Sequence, residues 1–390
     1  MPQVTITIFD TTLRDGAQSL PMVNQFKPNS KPRIADMIAS LGVGVIEAGF
    51  PATPTDSAEV AQVAKTVGNK AYHADQWSPQ GMESSSEFTP VIAGLARAKT
   101  SDIDATWEAI KQARYPRIHT FVSTSDYHRT NKFPGVSRDE LVQIAQEAVT
   151  HARQLADTKP GASVEFSAEA ASTTDMAYLH QVIRVAIAAG ADVINVPDTV
   201  GERDPIWMLD FYRSVIEWVV AQNPNVVISA HNHNDLGNAA ANSFMLVRAA
   251  SELAAKTKQD VAVQIEATIG GLGERAGNAD VFTVMGNIQK FASDLPCSIS
   301  WQFNPGKSVE VAQSIMAEAN LVVDRQAPIV GKDTNVHRSG IHSDGVIKGG
   351  HSMYTPFDPT FWGHQHQAIH EDGKYQGKAG RRAATMSSPK

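Results

Sequence analysis

Short apolar, β-branched runs recur along the chain at 4–9, 44–48, 90–94, 117–122, 163–166, 192–196, 226–230 and 263–267. The first, Val4-Thr5-Ile6-Thr7-Ile8-Phe9, alternates with the period of two that sends successive side chains to opposite faces of a strand. Between the runs, apolar residues repeat at helical spacing over 34–41, 104–113, 138–155, 176–189, 208–220 and 239–254. Strands alternating with helices predict a parallel sheet, because parallel neighbours need a crossover connection. Eight such units match the strand count of a closed α/β barrel, a (β/α)8 TIM barrel of about 250 residues. A doubly wound open sheet is the alternative.

Polar side chains gather at one end of these runs. The first leads into Asp10-Thr11-Thr12-Leu13-Arg14-Asp15-Gly16 and the second into Glu47-Ala48-Gly49-Phe50-Pro51. His119-Thr120-Phe121, Glu165-Phe166-Ser167 and Asp198-Thr199 end later ones, and His231-Asn232-His233-Asn234-Asp235 ends the seventh. Glu266-Ala267-Thr268 closes the eighth and opens a glycine-rich loop. Barrel enzymes carry their chemistry at the C-terminal ends of the strands, so this distribution predicts an enzyme rather than a passive barrel.

Two stretches break the rhythm. Residues 70–89 are polar and rich in Ser, Pro and Gly, which predicts a long loop or flexible insertion bordering the substrate side of the mouth. After residue 296 the strand–helix rhythm stops; 308–321 reads as a helix, 331–350 as a loop, and the chain ends in a basic tail whose last ten or so residues are expected to be disordered. The expected division is a catalytic barrel over 1–296 and a small helical linker region over 297–390.

Composition narrows the function. With 34 basic and 41 acidic residues the net charge is −7, without the basic footprint of a nucleic-acid binder. No apolar run reaches the roughly 18 residues of a membrane span, and no basic, apolar leader precedes the first strand. The single cysteine, Cys297, excludes a disulfide framework and a Cys-rich zinc module and suits a reducing compartment. A cytoplasmic enzyme is the expectation.

His231-x-His233 at a strand end puts two imidazoles on one face. With a carboxylate from a nearby strand, best supplied by Asp15, they form a divalent-metal set that suits Zn2+, Mn2+ or Mg2+ without choosing among them. A plain hydrogen-bonded histidine pair is the bland reading. Arg14 is suited to stabilise an oxyanion, unless it is a surface ion pair. Glu165, in a crowded mouth, would have a raised pKa fit for proton transfer, unless it only partners a barrel Arg. Thr199 could donate to a carboxylate or merely cap a strand. The loop from Gly270 to Asn278 matches neither a dinucleotide fingerprint nor a P-loop, so its glycines are expected to let backbone approach a ligand.

Together, FDTTLRDGAQS, GVIEAGFP, PRIHTFVSTSDYH, VEFSAEAAS, INVPDTVG, HNHNDLGNAAANS, GGLGERAGN and HRSGIHSDG resemble the 2-isopropylmalate synthase or alkylmalate synthase family of metal-dependent, Claisen-condensing barrels. The resemblance implies condensation of acetyl-CoA with a 2-oxo acid and hydrolysis of the thioester, in an intertwined homodimer. It implies that Asp15, His231 and His233 bind the metal with Asn278 near a fourth position. Arg14 would stabilise the enolate or alkoxide, Thr199 would hold the oxo acid's carboxylate, and Glu165 would move a proton. His342 would reach the site from the partner subunit's linker, where its loop is flanked by Gly340 and Gly345. His119, Ser163 and Ser167 would border the substrate. Small Ser163 leaves room for 3-methyl-2-oxobutanoate or something bulkier, such as an aromatic oxo acid. Glu165 stands where homocitrate synthases commonly carry an Arg, which argues against 2-oxoglutarate. Citramalate synthase and an inactive metabolite-binding barrel are further alternatives. Two departures stand out: DGAQ replaces the usual DGEQ at Ala17, and the sequence ends where leucine-regulated members continue, so leucine feedback is not expected.

Overall fold

The computed structural model describes residues 2–371, and the expected disorder of the last ten residues lies outside them. The chain divides into two compact units, Met1–Phe303 and Asn304–Lys390.

The first unit is a closed barrel of eight parallel strands: β1 (Gln3–Asp10), β2 (Val45–Glu47), β3 (Val91–Arg97), β4 (Pro116–Ser123), β5 (Ser163–Glu169), β6 (Val193–Asn195), β7 (Val227–His231) and β8 (Val261–Ala267). Each pairs with the next in chain order. β8 pairs back onto β1, from Val4↔Val261 to Asp10↔Ala267, and closes the ring. All eight expected strands are present. Each is followed by a helix, and several of the helices begin at a polar cap. Ser137 and Glu140 form a reciprocal capping box at Arg138–Ala156, and the Asp175, Asp204 and Asp280 carboxylates accept first-turn N–H groups of three others. Apolar side chains such as Val4, Ile6 and Ile8 are buried, but the barrel interior also holds His119, Glu165, Gln264 and Glu266 at 2 % exposure or less.

Residues 70–89 are not a loop. They form an antiparallel hairpin, Tyr72–Ser78 with Gly81–Phe88, and its first strand pairs with a strand at Ser298–Gln302. That strand runs beside Gln3–Ile6, the beginning of β1. The hairpin therefore lies at the N-terminal end of the barrel, opposite the mouth it was expected to border. The Trp77 indole N–H donates to the Phe303 carbonyl at 2.8 Å and fixes it there. The same strand carries the barrel unit to Phe303, past the expected boundary at 296.

In the second unit a helix spans Ser308–Glu318, as the periodicity predicts. A second helix at Gly340–Gly349 occupies part of the stretch expected to be loop, and Val336–His337 pairs with Ile369–His370. Among the described residues no helix is long and apolar enough to cross a membrane.

Candidate active site

The C-terminal ends of the strands enclose a cavity of about 380 Å³. Its apolar wall is Phe50, Leu95, Phe121 and Pro197; its polar wall includes Arg14, Asp15, His119, Ser167, Glu169, Thr199, His231, His233 and Glu266.

Asp15 is placed by a tight turn, Thr12–Gly16, at the end of β1. Buried Asp10 anchors that turn by accepting from the Thr12 amide at 2.9 Å and the Thr12 hydroxyl at 3.0 Å. The Thr12 hydroxyl in turn accepts from the Ile269 amide at 2.8 Å, which ties the turn to the loop after β8. Burial pushes Asp10 up to about 7, against the pull of the Thr12 bonds.

Asp15, His231 and His233 bring one ligand atom each within 4.8 Å of one another. Glu266 lies 2.9 Å from His231 Nδ1, which turns Nε2 toward Asp15 and His233. The two histidine Nε2 atoms stand 3.2 Å apart. Burial pushes both imidazoles down to about 4, so they are neutral, as metal ligation requires. Burial alone would raise Asp15, but the Arg14 guanidinium beside it and the Asn278 hydrogen bond act the other way and hold the carboxyl below its usual range. Asn278 donates to Asp15 Oδ2 at 2.6 Å, and its buried Oδ1 has no hydrogen-bond partner among the described residues. One carboxylate, two neutral imidazoles and a spare amide oxygen fit a divalent cation.

The glycines of the loop after β8 serve Asn278. A Cβ at Gly273 would lie 2.6 Å from Asn278 Cγ, and one at Gly277, where φ is +91°, would lie 2.1 Å from the Gly271 carbonyl oxygen. The expected close backbone approach is thus to Asn278 itself.

Arg14 is committed on two sides: Nη1 donates to Asp15 at 2.7 Å and Nε to Glu47 at 2.6 Å. Glu47 is fully buried, also accepts from the Thr11 hydroxyl at 2.6 Å, and lies 2.7 Å from His119 Nδ1. Thr199 accepts the Ala170 N–H at 2.9 Å, which leaves its hydroxyl proton available at the cavity. Ala170 holds a left-handed φ of 64° to make that bond.

Strand β5 presents Ser163, Glu165, Ser167 and Glu169 at every second position, and only Ser167 and Glu169 line the cavity. Ser163 and Glu165 lie deeper, held by Arg117: Nε donates to Ser163 at 2.9 Å and Nη1 to Glu165 at 3.2 Å, while the Gln264 amide donates to Glu165 at 2.8 Å. Burial raises Glu165 to about 7, but it does not stand in the mouth. The β5 carboxylate at the mouth is Glu169, gripped by Lys132 Nζ at 2.7 Å and by Ser123. Glu165 therefore says nothing about a distal carboxylate on the substrate.

His342 lies in the second unit, exposed on helix Gly340–Gly349, with its ring stacked 4.0 Å from that of Tyr354. Gly345 makes room for Tyr354, since a Cβ there would sit 2.6 Å from the phenol ring.

Reading the sequence missed Glu169, Glu47, Glu266 and Asn195 as site residues. Glu47 and Glu266 stood at strand ends in plain view, but the histidines they orient come from other strands.

Several known proteins are similar to this chain. 2-Isopropylmalate synthase B from Solanum pennellii is 37% identical over 347 residues, covering 88% of this chain and 51% of the relative. 2-Isopropylmalate synthase from Carboxydothermus hydrogenoformans is 39% identical over 348 residues, covering 88% and 59%. The chain thus spans between half and three-fifths of the length of these curated relatives. The solved hydroxymethylglutaryl-CoA lyase from Pseudomonas aeruginosa shares the fold, with a TM-score of 0.58 at 17% identity over 82% of this chain and 95% of its own. A family model described as HMGL-like matches residues 5–302, the whole barrel, and the chain belongs to that family.

Proposed function

We propose that the barrel joins the acetyl group of acetyl-CoA to the carbonyl carbon of a 2-oxo acid and hydrolyses the resulting thioester, giving a 2-substituted malate and CoA. One observation carries this reading: a single cavity holds the Asp15, His231 and His233 ligand set, a free hydroxyl at Thr199 and the apolar wall of Phe50, Leu95, Phe121 and Pro197. These groups suit a 2-oxo acid whose side chain is branched and aliphatic, or bulkier. The similarity to 2-isopropylmalate synthases points the same way.

A divalent ion held by Asp15, His231 and His233, with Asn278 beside them, would supply Lewis-acid polarisation of the oxo carbonyl. The chain's own groups do the rest. Thr199 donates to the substrate carboxylate. Arg14, its guanidinium fixed by Glu47 and Asp15, places a cation beside developing negative charge on oxygen. Glu169 takes or returns a proton at the mouth, a role for which its half-buried position suits it better than Glu165. His342 reaches the site of a second copy in a cytoplasmic homodimer; the single cysteine and the family resemblance support this part.

Thiol release from acetyl-CoA, measured over a panel of 2-oxo acids with the products identified, tests the proposal. The branched aliphatic acids should give the highest kcat/KM. Absence of thiol release with every acid in the presence of Zn2+, Mn2+ and Mg2+ would overturn it.

A further inference from the structure

We propose that Ser167, His119 and Glu47 form a proton relay that activates the water consumed in thioester hydrolysis, an inference that rests on the reaction proposed above. The three come from different strands, β5, β4 and the end of β2, yet stand in one line. Ser167 Oγ lies 2.7 Å from His119 Nε2, and His119 Nδ1 lies 2.7 Å from Glu47 Oε1. A hydroxyl, an imidazole and a carboxylate within hydrogen-bond reach in that order are the parts of an activated proton acceptor. Only the first two line the cavity; Glu47 is fully buried behind them.

The remaining bonds set the direction of proton flow. Glu47 also accepts from the Arg14 Nε–H and the Thr11 hydroxyl, so it is an ionised acceptor that orients His119 through Nδ1. His119 Nε2 then faces the serine hydroxyl. The Asn195 amide donates to Ser167 Oγ at 2.8 Å and occupies one of its lone pairs. A second lone pair is left for a water proton. An apolar substrate side chain would make no use of this arrangement, whereas a hydrolytic step would.

The step balances. Water oxygen adds to the thioester carbonyl carbon as one water proton passes to Ser167 Oγ and the serine's own proton passes to His119 Nε2, whose new charge faces Glu47. The carbon–sulfur bond then breaks, and the proton returns through Ser167 to sulfur. The products are a carboxylic acid and the CoA thiol.

The test follows two quantities in one reaction mixture, 2-oxo acid consumed and thiol released, with the condensed thioester detected by mass spectrometry. In the parent protein the two should match. In Ser167→Ala and His119→Asn, thiol release should fall about 10²-fold or more below condensation, and the thioester should accumulate. Ser167→Thr, which keeps a hydroxyl, should restore much of the coupling and also guards against a folding defect, with metal content and melting temperature recorded for each variant. Supplying the preformed condensed thioester separates the two ideas. If the parent does not condense yet hydrolyses that thioester and Ser167→Ala does not, the proposed function fails and the relay stands. If condensation and thiol release fall in step in every variant, or if Ser167→Ala hydrolyses the supplied thioester at the parental rate, the relay is wrong.

Discussion

Replacing Glu165 with Gln separates a carboxyl group that does chemistry from one that is part of the scaffold. Glu165 is fully buried, and burial raises its pKa from 4.5 to about 7, with Arg117 and His119 pulling down and Glu266 pushing up. The unfolded chain releases this proton near 4.5, while the folded one keeps it until about 7. Between those values the unfolded state binds fewer protons, so rising pH favours unfolding. The group's stabilising contribution is complete below 4.5 and is lost as the pH climbs through 7. At about 1.4 kcal/mol for each tenfold in proton affinity, the loss is about 3 kcal/mol. Glu165→Gln keeps the shape and one acceptor oxygen, enough for Arg117 or Gln264 but not both, and cannot ionise. Unfolding free energies from urea denaturation at pH 5 and pH 8 should therefore diverge: the parent loses about 2.5 kcal/mol more than the variant over that interval. Turnover of the variant at neutral pH should stay within tenfold of the parent. A carboxylate acting at the mouth would show the reverse, with parallel stability profiles and a 10²–10⁴-fold loss of kcat. That result would refute the placement of Glu165 below the cavity floor.

Glu169→Gln should lower kcat about 10²–10⁴-fold with metal content unchanged, as checked by steady-state kinetics and elemental analysis. The protein should bind one divalent ion per chain, read by elemental analysis, and His233→Ala should lose it; full turnover after exhaustive chelation would be the contrary result. Gly277→Ala forces a Cβ into the Gly271 carbonyl and strains a left-handed residue, so it should cost about 1–3 kcal/mol and weaken metal affinity by displacing Asn278, both measurable by denaturation and metal titration. His342→Ala and Glu169→Ala chains, each inactive alone, should regain activity when mixed and allowed to exchange; a mixture that stays inactive would show that the site is not shared between copies.

The barrel was legible because its strands are β-branched runs that alternate with helical periodicity, a local property of the sequence. The hairpin was not. Gly81–Phe88, GMESSSEF, is exposed along nearly its whole length and has no apolar face to alternate; it is a strand because Tyr72–Ser78 pairs with it and Ser298–Gln302 pairs with that. Distant pairing of this kind leaves no mark on the local sequence. The candidate metal set was readable from His231-x-His233 and the Asp15 corner, since an i, i+2 spacing in extended backbone turns both rings to one side.

The choice between Glu165 and Glu169 shows where such reading stops. On β5 the inward positions recur every two residues, about 6.6 Å of rise per step, so four similar side chains offer four depths. Which of them reaches the mouth depends on where the strand ends. The apolar run stops at 166, but the ladder with β4 continues to Ser123↔Glu169, so the β5 carboxylate that lines the cavity stands two steps beyond Glu165. The deeper positions do not line the cavity, and their charges are costly in a barrel interior. Arg117, Glu165 and Gln264 bond one another there, while Glu47 and Glu266 beside them orient His119 and His231. Apolar residues would fill that space at lower cost but could not orient either ring, so the polar interior is best understood as support for the cavity floor.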